Sequence, residues 1–301
     1  MSEKKTIVIT SAKRTAIGSL GGSLKSVSAH ELGARVISDV IKNSKLKNEE
    51  VDEVIMGQVL TGGAGQNPAR QAAIKCGLPK EKPAYVVNQV CGSGLRSIAS
   101  AFQSIRTKDS KIVIAGGQES MSTSPHAVFI RNGKKLGNVE LVDTMIKDGL
   151  WDAFNGYHMG VTAENVATKF QITRDEQDKF AFNSQTKALK AQEKNKFNDE
   201  ITAFKIKSKE SEIKFVKDEH PRESTNLESL KRLKSAFQKD GTVTAGNSSG
   251  INDGAAAVVL MDEAEANKRG LKKLVKIKSW ASCGVDPALM GTGPIPSSKK
   301  A

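Results

Sequence analysis

The sequence predicts an α/β fold in which a largely parallel sheet is covered by helices. Three observations carry this. Apolar, β-branched runs alternate with stretches of helical periodicity through the first third of the chain. Helix-start signals fall between those runs, at Ser28 and at Asn67-Pro68. The same alternation returns near Val243 after a long interruption.

Thr6 to Ala12 is a β-branched run and reads as the first strand. Ser28-Ala29-His30-Glu31 is a capping box, and the apolar spacing of Leu32, Val36 and Val40 with Ile37 and Ile41 predicts a helix behind it. Val51 to Leu60 reads as a strand. Pro68 opens a second helix and Gly77 lies just past its end. Ala84 to Val90 is an apolar strand leading into Cys91, followed by helical spacing from Leu95 to Ile105. Lys111 to Ala115 is a short strand, ended by Gly116-Gly117. From about Ser120 to Thr244 β-branched runs are rare, and this stretch reads as an inserted helical and loop-rich subdomain. A second capping box, Thr173 to Glu176, starts a long charged helix reaching about Lys196, and a further helix spans roughly Leu227 to Phe237. The run Ala255 to Met261, a helix from Glu263 to Arg269 and a strand from Leu274 to Ala281 complete the pattern. Nothing after residue 282 reads as a complete element.

The chain has 301 residues, of which 38% are hydrophobic and 26% charged, the composition of a soluble globular protein large enough for two domains. No apolar run approaches the roughly 18 residues needed to span a bilayer. No signal-peptide core follows the polar start Met1 to Lys5, so a cytoplasmic location is expected. Cys76, Cys91 and Cys283 are too few and too scattered for a disulfide framework or a zinc site. The four histidines lack metal-ligand spacing, and no metal is expected. The net charge of +13 fits either a lysine-rich surface or attraction for a polyanionic small molecule. Nucleic acid fits poorly, because the basic stretches carry few aromatics for stacking.

Cys91 is the most informative residue. A thiol at a strand-to-helix turn meets the free N–H groups and dipole of the helix N-terminus, which stabilise a thiolate. Gly92 and Gly94 allow a substrate carbonyl to approach the backbone. Taken alone, a cysteine in a turn is as readily a small packed side chain. His158, in Gly156-Tyr157-His158-Met159-Gly160, fits a ligand contact or a surface loop histidine equally well. Gly291-x-Gly293-x-x-Pro296 is a weak dinucleotide fingerprint, since no helix is expected behind it. Gly62-Gly63-x-Gly65 reads as a structural turn.

Taken together, five runs resemble the thiolase family. They are Asn88 to Arg96; Ala115 to Ser122; His158-Met159-Gly160 with Thr162 to Asn165; Val243 to Gly250 with Asn252 to Ala256; and Met290 to Pro296. The resemblance, to the biosynthetic acetyl-CoA acetyltransferases, covers essentially the whole chain. Ketoacyl synthases share the fold and a cysteine nucleophile, but the runs Gly116 to Ser122 and Met290 to Pro296 look like thiolase.

The resemblance implies a thiolase fold, layered α/β/α/β/α. The first half would be residues 1–120 with 245–270, the coenzyme A-binding loop domain residues 121–244, and residues 271–301 the start of a truncated second half. It implies reversible condensation of two acetyl-CoA to acetoacetyl-CoA through an acyl-cysteine at Cys91. Coenzyme A thioesters are then substrates, with no prosthetic group. His158, Met159, Arg222, Ser229, Leu233, Phe237, Ala245 and Ser249 match positions around the pantetheine and nucleotide. A homo-oligomer, dimer or tetramer, is implied as well. The family's Asn-Glu-Ala-Phe, Gly-His-Pro and late Cys-x-Gly-Gly strings do not occur in these 301 residues. Those strings carry the activating histidine, the α-proton-moving cysteine and part of the oxyanion site. The chain is therefore expected to be catalytically incomplete alone, or the coenzyme A-binding part of a two-chain enzyme.

Overall fold

The computed structural model describes residues 6–207 and 212–301. The polar start Met1 to Lys5 lies outside them. In chain order the main elements are β1 (Ile7–Thr15), α1 (Ala29–Asn43), β2 (Glu53–Gly57), α2 (Pro68–Lys75), β3 (Ala84–Val87), α3 (Ser93–Thr107), β4 (Ile112–Ser120), α4 (Met159–Phe170), α5 (Arg174–Glu193), β5 (Ile201–Thr202), α6 (Leu227–Lys231), β6 (Asn252–Asp262), α7 (Glu263–Lys268) and α8 (Pro294–Lys300). The chain divides into two compact units. One holds residues up to Thr144 with Asp199–Glu219 and Asn252–Lys278; the other holds Met145–Asn198, His220–Ile251 and Ser279–Ala301.

The first unit is built on one sheet, in the order β5–β1–β6–β4–β2–β3, with Val275–Lys276 added to β1 and Gly18–Ser19 to β6. Its strands are apolar on both faces because helices cover both. Val54, Met56, Ile112, Ile114, Val259 and Met261 pack into the core formed with Leu32, Val36, Ile37 and Val40 of α1 and Ala69, Ala72 and Ala73 of α2. The alternate residues Ile55, Val113, Ala115 and Leu260 join Ala101 and Ile105 of α3 in a second core. Each valine, leucine, isoleucine or methionine so buried contributes about 1.5–3 kcal/mol. The spacing of Leu32, Val36, Ile37 and Val40 thus does what its period predicts, and Ser28 with Glu31 caps α1.

The sheet is mixed, not largely parallel. β2 runs parallel to β3 and β4, and β1 parallel to β5, but β6 is antiparallel to both β1 and β4. A strand that returns after a long excursion, and not through a single crossover helix, is not held to the parallel direction. β4 also runs on through Gly116 and Gly117 to Ser120. These glycines do not end the strand. A Cβ at Gly116 would overlap the Ala256 carbonyl oxygen of β6, so the glycine marks a close backbone approach.

In the second unit, Thr173 and Glu176 cap the long helix α5 as expected. α6 ends at Lys231, short of Phe237. Between Ser120 and Thr244 the chain also forms two-residue strand pairs, such as His126–Ala127 with Val142–Asp143 and Trp151–Asp152 with Tyr157–His158. The strand expected over 274–281 is only Val275–Lys276. Beyond residue 282 there are further elements, a 3-10 segment Pro287–Thr292 and α8. Each begins at a proline, whose fixed φ favours the first helical position.

Candidate functional site

β3 delivers the chain to a sharp turn whose last residues are Val90 and Cys91, and α3 starts two residues later with Gly92 as its N-cap. Cys91 is exposed. The turn is tight because Val90 adopts φ 47°, the left-handed region. A β-branched side chain there is strained by about 1–3 kcal/mol. Hydrogen bonds hold it. The Val90 N–H donates to Asn88 Oδ1 at 2.9 Å. The Ser93 hydroxyl donates to the Val90 carbonyl at 2.6 Å and accepts the Gln89 N–H at 2.8 Å.

A glycine seats α3 under this turn. A Cβ at Gly57 would come within 2.5 Å of the Ser93 backbone, so only glycine lets β2 end against the start of α3. The buried Ser97 hydroxyl donates to the Gly116 carbonyl at 2.7 Å, tying α3 to β4. Two residues beyond Gly117, Glu119 accepts the N–H groups of Val59 and Leu60 at 2.8 and 3.3 Å. Burial pushes its carboxyl above the ordinary value, and the charge of Asp253 adds to that.

In the second unit, His158 is the N-cap of α4. Its Nδ1 accepts the Gly160 N–H at 3.0 Å, which leaves Nε2 as the protonated nitrogen of the neutral ring. The ring stacks on Phe237 with centroids 4.7 Å apart. Gly160 leaves room for this, since a Cβ there would overlap the Phe237 ring. Burial holds His158 below the ordinary imidazole value. Met159 follows, half-buried, at the first position of α4.

The loop 242–249 is fastened to α4 and α5. Buried Glu164 accepts the N–H groups of Thr242 and Val243 and the Thr242 hydroxyl, all at 2.7–2.9 Å. Asp178, fully buried, accepts from Arg174 at 2.8 Å and from Asn247 Nδ2 at 3.0 Å. The Arg174 guanidinium also reaches the carbonyls of Leu230 and Leu233. Leu233 packs against Gly246, beside exposed Ala245.

The structure thus brings His158, Met159 and Phe237 together, and Leu233 with the loop carrying Ala245. Ser229 lies on α6, with its N–H bonded to Asn226 Oδ1. Arg222 and Ser249 are exposed, and the Arg222 N–H donates to Gln185 of α5. Sequence reading passed over Asn88 and Ser93 as elbow residues, and Glu164 and Asp178 as loop anchors. The signal for Glu164 was a carboxylate one helical turn inside the apolar face of α4. Among the described residues no group of three or more His, Cys, Asp or Glu could hold a metal ion. No helix among them is long and apolar enough to cross a membrane.

The family model of the thiolase N-terminal domain matches residues 7–264. The acetyl-CoA acetyltransferase of Rhizobium meliloti (strain 1021) is 56% identical over 296 residues, 98% of this chain and 75% of the relative. That of Paracoccus denitrificans is 57% identical over 294 residues, with the same coverage of both chains. The crystal structure of the Bacillus anthracis acetyl-CoA acetyltransferase superposes with a TM-score of 0.97 at 43% identity, over 100% of this chain and 76% of that one. The mixed sheet with helices on both faces is therefore the thiolase fold, and at these identities the sequence and the fold agree: the chain belongs to the thiolase family.

Proposed function

We propose that this chain is an acetyl-CoA acetyltransferase in which Cys91 carries the acetyl group. The observation that carries the reading is the turn between β3 and α3, which presents an exposed thiol ahead of a helix N-terminus. In the first half-reaction Cys91 Sγ attacks the acetyl-CoA carbonyl. The carbonyl carbon–sulfur bond to coenzyme A breaks, and the departing thiolate takes up a proton. The Gly92 and Ser93 N–H groups are taken by the Gln89 and Val90 carbonyls at 3.0 Å each, so the acyl carbonyl oxygen would accept the Cys91 backbone N–H. In the second half-reaction a second acetyl-CoA, having lost an α-proton, attacks the acyl-cysteine carbonyl, and acetoacetyl-CoA forms as the Cys91 thiolate leaves. Thiolysis is the reverse.

Residues 121–244 are assigned to coenzyme A. His158 and Met159 are proposed beside the pantetheine arm, and Arg222, Ser229, Leu233, Phe237, Ala245 and Ser249 around the nucleotide and pantetheine. Support comes from the stacked His158–Phe237 pair and from Leu233 beside the anchored loop, apolar groups interleaved with polar ones, as suits a long flexible ligand. The sequence contains neither Gly-His-Pro nor Cys-x-Gly-Gly. We therefore expect these 301 residues by themselves to accept an acetyl group without completing condensation. A homo-oligomer is also proposed.

The test is incubation of the purified chain with acetyl-CoA, with mass spectrometry of the Cys91 peptide and an assay of acetoacetyl-CoA thiolysis. Acetylation at Cys91, lost in Cys91→Ala, with little thiolysis, is the expected result. Absence of acetylation overturns the acetyl-carrier role. Robust thiolysis by the chain alone overturns the incomplete-enzyme reading.

A further inference from the structure

We propose that Asn88 is a positioning residue whose side chain holds Val90 in its left-handed conformation and thereby aims Cys91. The proposal rests on the reading of Cys91 as the acyl carrier and adds what orients it. Val90 is one of the few non-glycine residues at positive φ, 47°, and it is β-branched and half exposed. Two backbone bonds close the turn around it, from the Gly92 N–H to the Gln89 carbonyl and from the Ser93 N–H to the Val90 carbonyl, both 3.0 Å, and two side chains add to them. Asn88 Oδ1 accepts the Val90 N–H at 2.9 Å, while its Nδ2 reaches toward the Val59 carbonyl at 3.5 Å. On the other side the buried Ser93 hydroxyl bridges the Gln89 N–H and the Val90 carbonyl. The peptide on each side of Val90 is thus held by a side chain from outside the turn's tip. Asn88 in turn leans on the segment Val59–Leu60, whose amides end on the carboxylate of Glu119. Released from this clasp, Val90 would relax to negative φ. That rotation carries the following residue away from the start of α3, out of the field of its N-terminus.

The clasp predicts a specific rescue. Glycine occupies positive φ without strain, so Val90→Gly removes the need for the clasp. Asn88→Ala, Asn88→Asp, Val90→Gly and the double variant Asn88→Ala/Val90→Gly are compared with wild type. Three quantities are read: acetylation of Cys91 by acetyl-CoA, its alkylation by iodoacetamide relative to Cys283, and the thermal midpoint. In Asn88→Ala both Cys91 rates should fall about tenfold, the kinetic equivalent of losing one strained conformation's restraint. Asn88→Asp keeps the acceptor and should retain most of the rate. The double variant should recover most of it. Wild-type Cys91 rates in Asn88→Ala, with or without a lowered midpoint, overturn the proposal. So does an Asn88→Ala defect that Val90→Gly leaves untouched. If wild type is alkylated but never acetylated, the acyl-carrier reading fails while the clasp is still decided by the alkylation ratio.

Discussion

Cys76 and Cys91 are fifteen positions apart in sequence and opposite in circumstance. Burial pushes the Cys76 thiol up to about 11, and it donates to the Ala73 carbonyl at 3.1 Å. Cys91 stands exposed beyond the end of a strand. In the sequence Cys91 stands out through its neighbours, an apolar strand before it and Gly92-Ser93-Gly94 after it. Sequence reading could not see that Val90 would be left-handed, because no propensity predicts valine there. His158 is a second residue whose environment decides its behaviour. Its folded value lies below the ordinary 6.5, so the unfolded chain binds more protons as pH falls past that value. The neutral ring's contribution to stability is therefore full above about pH 6.5 and is lost progressively below it. Protonation also removes the Nδ1 lone pair that caps α4. The thermal midpoint of the wild type should drop between pH 7.5 and 5.5. His158→Asn, a non-titrating cap, should flatten that slope; an unchanged slope would show that other groups set it.

At the scale of elements, glycine and carboxylate positions decide where helices and loops meet. Gly57 seats the start of α3 on β2, and Gly160 seats Phe237 on α4. Each was visible in the sequence only as a small residue, since what it accommodates comes from elsewhere in the chain. The loop 242–249 was legible as a small-residue stretch, yet what shapes it is Glu164, some eighty positions earlier. Glu164→Gln replaces an acceptor facing N–H donors with an amide that carries donors of its own. Two charge-assisted bonds are lost, and the variant should be destabilised by about 2–3 kcal/mol in denaturant unfolding. Coenzyme A affinity measured by calorimetry should fall with it, because Ala245 and Ser249 ride on the same loop. Full affinity in a folded Glu164→Gln chain would remove that loop from the binding surface.

At the scale of the molecule, the chain spans about three quarters of the length of the curated relatives it matches. Its net charge of +13 favours ligands bearing several phosphates. Co-expression with a polypeptide carrying the Gly-His-Pro and Cys-x-Gly-Gly strings should raise acetoacetyl-CoA thiolysis by orders of magnitude over either alone, as expected when an absent general base is supplied. Co-purification without activity would show that those strings do not supply what these 301 residues lack.

The sequence by itself determined the periodic elements, the caps at Ser28 and Thr173, and the thiol between a strand and a helix. All of these depend on residues within a few positions of one another. Tertiary structure alone decided the antiparallel course of β6, the passage of β4 through two glycines, the early end of α6 and the left-handed Val90. The first three arise where segments distant in sequence press together and contact energy outweighs local preference, whereas Val90 is held by bonds to Asn88 and Ser93 that no propensity encodes.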